Sequence, residues 1–252
     1  MDGRYARYLM QHMVAMTVMG YLVGAAPNAV HAAQVIVNGG FETGDFTGWS
    51  ASSSNAHLNP TVPGNCDQPW TVTNTGIGSP SLAGTQCFTV ANPLGNYAAY
   101  NSFDGDGPQT FTLSQTFAVP AAGLATAALS WAETYRVQNT GLARTFDINI
   151  IGTSTVNVFN ETFTEGSGPV VDYQQLTFLV HNLDIATALN TFAGQTVQIA
   201  FIATIPETYT GSGGFGLDGV SLEQVAIAEP ASIAVLGLGW FVLSGMCRRR
   251  IA

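Results

Sequence analysis

Few residues in this chain have the type and spacing to do chemistry. Trp131, Glu133 and Tyr135 are the clearest set, because residues two apart share one face of an extended segment. Flat aromatics stack on pyranose rings and a carboxylate takes ring hydroxyls, so the trio is a candidate carbohydrate-binding stripe. Trp70, Tyr97 and Tyr100, read as residues of the preceding loops, would extend it. Trp131 is equally the kind of residue that a sheet buries in its core. Arg136 falls on the opposite face, with Asp147 on the next strand as its expected partner.

Catalysis has less to work with. A glycosidase needs two carboxylates held at a defined separation in a cleft, and no pair stands out by spacing. His57 lies in a Ser/Asn-rich loop and His181 at a strand end, neither with a nucleophile beside it. Asp104-Gly105-Asp106-Gly107 matches half of a calcium loop but lacks the later acidic ligands, so it reads as a solvated turn. Trp49 reads as a plug over one end of the core. These residues predict no enzyme.

The two ends carry a different kind of signal. Arg4 and Arg7 precede an apolar segment, and Val30-His31-Ala32 offers small residues for cleavage, so residues 1–32 read as a secretory signal peptide. At the other end Glu229-Pro230-Ala231-Ser232 runs into an uncharged stretch that stops at Arg248-Arg249-Arg250. The apolar run over 231–247 is at the short limit for a bilayer span of roughly 17 residues. Its arginines should stay cytoplasmic, with everything before them across the membrane. Export through the Sec machinery is thus indicated twice.

Between the ends, fifteen acidic residues stand against Arg136 and Arg144, a net charge of −13, and the chain has no lysine. Such a surface repels nucleic acid and anionic lipid. Cys66 and Cys87 fall in this part, and outside the cytosol such a pair forms a disulfide. Closing a loop of that length is worth ~3 kcal/mol in the chain-entropy model. Cys247 reads as a small apolar residue at the membrane edge.

The elements that must position these residues have period two. Strands are expected from Val35, then over 110–119, 125–137, 144–151, 156–163, 173–180, 196–205 and 215–225, with one or two helical turns at 184–189 behind a capping Asp184. The pattern predicts an all-β antiparallel sandwich over 33–227, one domain's worth of chain.

Two resemblances sharpen this reading. Asn38-Gly39-Gly40-Phe41-Glu42-Thr43-Gly44-Asp45 and Phe215-Gly216-Leu217-Asp218-Gly219-Val220-Ser221-Leu222 resemble the opening and closing strands of galactose-binding-like jelly rolls, including many carbohydrate-binding modules. That resemblance implies first and last strands side by side, with Glu42 and Asp218 holding a structural calcium ion. Asn38-Gly39-Gly40 is expected to supply conformational freedom for a tight turn. The tail over 228–252 resembles the PEP-CTERM sorting tail of Gram-negative bacteria, with Ala228 where the fullest motif has its first proline. It implies handling by exosortase at the inner membrane and delivery to the cell surface or matrix; a plain membrane anchor is the alternative. The expectation is a non-enzymatic structural or adhesive protein in contact with exopolysaccharide. The alternatives are a calcium-stabilised lectin or, more weakly, a secreted polysaccharide hydrolase.

Overall fold

Alternating apolar side chains need something to cover them, and here two sheets cover each other. The computed structural model describes residues 32–54, 68–74, 91–103, 107–139, 142–163, 171–206 and 213–227. One sheet, sheet A, has the order β3 (Gln68–Thr73), β4 (Ala98–Phe103), β11 (Gly213–Ala226), β6 (Leu124–Asn139), β9 (Val171–Asp184), with the short β1 (Ala33–Gln34) also on β11. The facing sheet, sheet B, has the order β2 (Ser50–Ser53), β5 (Gln109–Ala118), β10 (Thr196–Ile205), β7 (Arg144–Ile151), β8 (Thr155–Phe163). The pairings within both sheets are antiparallel.

The connectivity places first and last strands together, Ala33 opposite Gln224, as the resemblance implied. The chain crosses from sheet to sheet at every connection except β3 to β4 and β7 to β8, so each sheet interleaves distant segments. Between β9 and β10 lies the one short helix of the described residues, α1 (Ala186–Asn190). The N-cap is Ile185, without a side-chain bond of its own, rather than the expected Asp184, whose Oδ1 accepts the Ala186 amide at 2.9 Å from the residue before.

The core is an aromatic layer between the sheets. Phe146 of β7 stacks against Phe215 of β11, centroids 5.6 Å apart, and Tyr135 of β6 meets Phe163 of β8 at 4.8 Å. Trp49 packs on Phe41 and Phe201 and donates its indole N–H to the Asn38 carbonyl at 3.1 Å, closing one end as expected. Burying each such ring is worth about 2–3 kcal/mol.

Several strands differ from the sequence expectation. β1 ends at Gln34 rather than beginning at Val35, β2 had no expected strand, and the segments of Trp70 and Tyr100, expected as loop, form β3 and β4; β4 is buried at every position because sheet A is covered on both faces there. Trp70 and Tyr100 are therefore buried strand residues rather than exposed loop aromatics. The signal segment, Cys66 and Cys87, His57, the Asp104–Asp106 turn and the tail from Ala228 to Ala252 lie outside the described residues. Among the described residues no helix is long and apolar enough to cross a membrane.

Candidate functional site

Three clusters of polar chemistry stand out, two on outer faces of the sandwich and one between its sheets. The first joins Glu42 and Asp218. Alternation along β11 turns Phe215 and Leu217 inward and Asp218 outward, beneath the segment 91–97 that runs over sheet A. Asp218 Oδ2 accepts the Leu94 amide at 2.9 Å and its Oδ1 the Gly219 amide at 2.7 Å. Glu42 reaches the same segment, taking the amides of Asn96 at 2.8 Å and Tyr97 at 3.3 Å on Oε1, and the Asn96 carboxamide at 2.8 Å on Oε2. The bonds from Asn96, then the Tyr97 amide, hold Glu42 below the usual carboxylate range. Burial pushes Asp218 up to about 6, against the two amides and aided by the Glu42 charge.

The two carboxylates thus pin residues 94–97 onto the sheet through N–H donors that the sequence did not reveal. Each oxygen that accepts one N–H retains a second lone pair, so in charge and donor type the pair also fits calcium. No third Asp, Glu, His or Cys joins them into a metal-sized cluster among the described residues, leaving backbone carbonyls as the further ligands.

The second cluster contains the expected carbohydrate stripe. Trp131, Glu133 and Tyr135 do share one face of β6, but that face looks into the sandwich. Trp131 is 1% exposed, with the His181 ring stacked on it at 4.7 Å and the edge of Phe159 at 4.9 Å. So little of the indole reaches solvent that it offers no platform for a sugar ring. Glu133, 3% exposed, accepts the Trp131 indole N–H at 3.0 Å, and the Tyr135 hydroxyl donates to Glu161 of β8 at 3.1 Å. Burial, reinforced by Glu161, pushes Glu133 up to about 8 and Tyr135 up to about 12. The bend in expectation has a simple source: spacing places three side chains on one face but does not say which face is wet. For the same reason Arg136 and Asp147 are not partners: their neighbours Tyr135, Val137, Phe146 and Ile148 face the core, so the two alternate onto opposite outer faces of the sandwich.

The third cluster is the exposed face of sheet B at β7 and β8, and it centres on Asp147. Asp147 Oδ1 accepts the carboxamides of Asn157 at 2.9 Å and Asn160 at 2.7 Å, while Oδ2 accepts the Thr145 hydroxyl at 2.7 Å. Asn157 also donates to Asn149 Oδ1 at 2.9 Å, and Thr162 donates to Asn160 at 2.9 Å. Cross-strand register explains the assembly: Asn149 lies opposite Asn157, and Asp147 opposite Asn160. The sequence held half of this signal, the polar alternation Thr145, Asp147, Asn149. The matching half on β8 is offset by a bulge opposite Ile148 and Asn149 and could not be aligned without the pairing.

Solved structures are similar at low identity. TmCBM61 in complex with β-1,4-galactotriose is similar at TM-score 0.43 and 17% identity, over 75% of this chain and 97% of that one. The K3 cleaved adhesin domain of Lys-gingipain from Porphyromonas gingivalis is similar at TM-score 0.44 and 13% identity, over 75% and 99%. The family 11 carbohydrate-binding module from Clostridium thermocellum, in complex with a mixed-linked tetrasaccharide, is similar at TM-score 0.35 and 9% identity, over 81% and 100%. No family model matches the chain, and no curated protein does.

Proposed function

We propose that this protein is an exported, non-catalytic polysaccharide-binding component of the cell surface or matrix, built on a galactose-binding-like jelly roll. The observation that carries the reading is the exposed Asp147 network on sheet B. Sugar hydroxyls both donate and accept, and carboxamide, hydroxyl and carboxylate groups on adjacent strands answer both needs. Because Thr145, Asn157 and Asn160 are already tied to Asp147, little side-chain freedom remains to be lost on binding. A net charge of −13 between the two ends makes a neutral polymer the fitting partner, since an acidic one is repelled.

Export rests on Arg4, Arg7 and the apolar segment after them; surface delivery rests on Glu229-Pro230-Ala231-Ser232 and Arg248-Arg249-Arg250, the exosortase-type tail. Glu42 and Asp218 are proposed to hold a structural calcium ion, which would neutralise the carboxylates that fasten residues 94–97. A hydrolase would need two carboxylates facing a cleft; Glu133 and Glu161, the pair that comes together, meet between packed sheets instead.

Affinity electrophoresis of the purified full-length protein through neutral and acidic polysaccharides tests the reading. At least one neutral polymer should retard it, and the Asn157→Ala/Asn160→Ala double variant should lose about tenfold in affinity. Unimpeded migration through every polymer, or undiminished retardation of the double variant, overturns it.

A further inference from the structure

Two buried polar atoms inside the sandwich face each other with no other partner: Glu133 Oε1 and His181 Nε2, 3.1 Å apart. We infer that Glu133, His181 and Glu161 form a proton-dependent latch, in which one shared proton ties the β6–β9 side of one sheet to β8 of the other. The surrounding groups set its logic. The Trp131 ring lies 8° from parallel to His181 and gives its N–H to Glu133 Oε2, leaving Oε1 for the histidine. Across the sheets Glu161 hydrogen-bonds with Glu133 while accepting the Tyr135 hydroxyl. Phe159 and Phe163 of β8 wall the cluster, and the buried Arg144 of β7 is directed onto the Phe103 ring at 5.6 Å.

Burial first, then the neighbouring Glu161, disfavours the ionised form of Glu133, so Glu133 keeps a proton to higher pH. With that proton the contact with Glu161 is a hydrogen bond, and a neutral His181 with its N–H on Nε2 donates separately to Glu133 Oε1. Without it, like charges meet between β6 and β8. β8 is the outermost strand of its sheet, paired on one side within the described residues, and so a part of the sandwich that separates easily. Glu133 is raised from 4.5 to about 8, so the folded state holds this proton more tightly than the unfolded chain. Its contribution is complete below 4.5 and is lost as pH rises through about 8. His181 runs the other way: burial lowers it from 6.5, so its contribution is complete above 6.5 and declines as pH falls below it. The latch therefore holds near neutral pH and loosens one side of the sandwich in alkaline surroundings.

Thermal melting of the full-length protein between about pH 7 and about pH 9 isolates Glu133 from the other groups. Wild type should lose about 3 °C or more over that interval, whereas Glu133→Gln, the same shape without the titration, should be flat. Glu161→Gln removes the neighbouring charge and should move the fall to lower pH. An infrared C=O band of a protonated carboxyl should be present in wild type at about pH 7 and absent by about pH 9. A flat wild-type profile, an unchanged slope in Glu133→Gln, or the absence of the band overturns the latch. If Glu133→Gln does not fold, the Glu161→Gln shift and the band decide, and an unshifted Glu161→Gln profile overturns it.

Discussion

Gly39 shows how a single position can be necessary for a reason its neighbours do not share. The left-handed residues of the opening turn are Asn38, at φ 50°, and Phe41, at φ 55°, so the two glycines between them are not there for backbone freedom. What Gly39 provides is proximity: a Cβ on it would lie 1.8 Å from the Val220 carbonyl oxygen, and its own carbonyl accepts the Val220 amide at 3.0 Å. At Gly40 the nearest atoms to such a Cβ are 3.7 Å away, an ordinary contact. Gly39→Ala should therefore cost about 3 kcal/mol, seen as a melting temperature lower by roughly 6–12 °C, while Gly40→Ala should change little. Equal effects at the two positions would contradict this account of the turn. The Asn-Gly-Gly spelling marks a special turn, but only the partner strand shows which glycine is indispensable.

At the scale of elements, strands with clean alternation were legible and those buried on both faces were not. β7 and β10 run over the residues their alternation predicts, because one face of each is apolar and the other polar. β4, Ala-Ala-Tyr-Asn-Ser-Phe, has no alternation to read, because residues 91–97 cover its outer side and Tyr100 donates its hydroxyl to the Ala91 carbonyl at 2.8 Å. That covering segment is also where the carboxylates act, so calcium at Glu42 and Asp218 should register as its attachment. Asp218 is raised from 3.8 to about 6, so without the ion its contribution to stability is complete below 3.8 and is lost as pH rises through about 6. Calcium competes for the same oxygens. The melting temperature should rise when calcium replaces chelator, by an increment that is small near pH 4 and full above about pH 6. Identical melting with calcium and with chelator at neutral pH would remove the ion from the account.

For the whole molecule, the sequence read the class of fold from period two but could not say which surface is outside. Trp131, Glu133 and Tyr135 fit a sugar stripe by type and spacing, and their strand turns them into the core against β8. The exposed polar face formed instead where two strands distant in register brought Asp147, Asn157 and Asn160 together, a contact set by pairing rather than by sequence proximity. An acidic sandwich with an uncrowded carboxamide face is suited to neutral polymers, and the placement of that face is the claim on which the functional reading depends. Amide hydrogen exchange of the full-length protein, with and without a retarding neutral polysaccharide, tests it most directly. The account predicts added protection concentrated on β7 and β8 around Thr145–Asn149 and Asn157–Thr162. Protection confined to β6, β9 or residues 91–100 would contradict it.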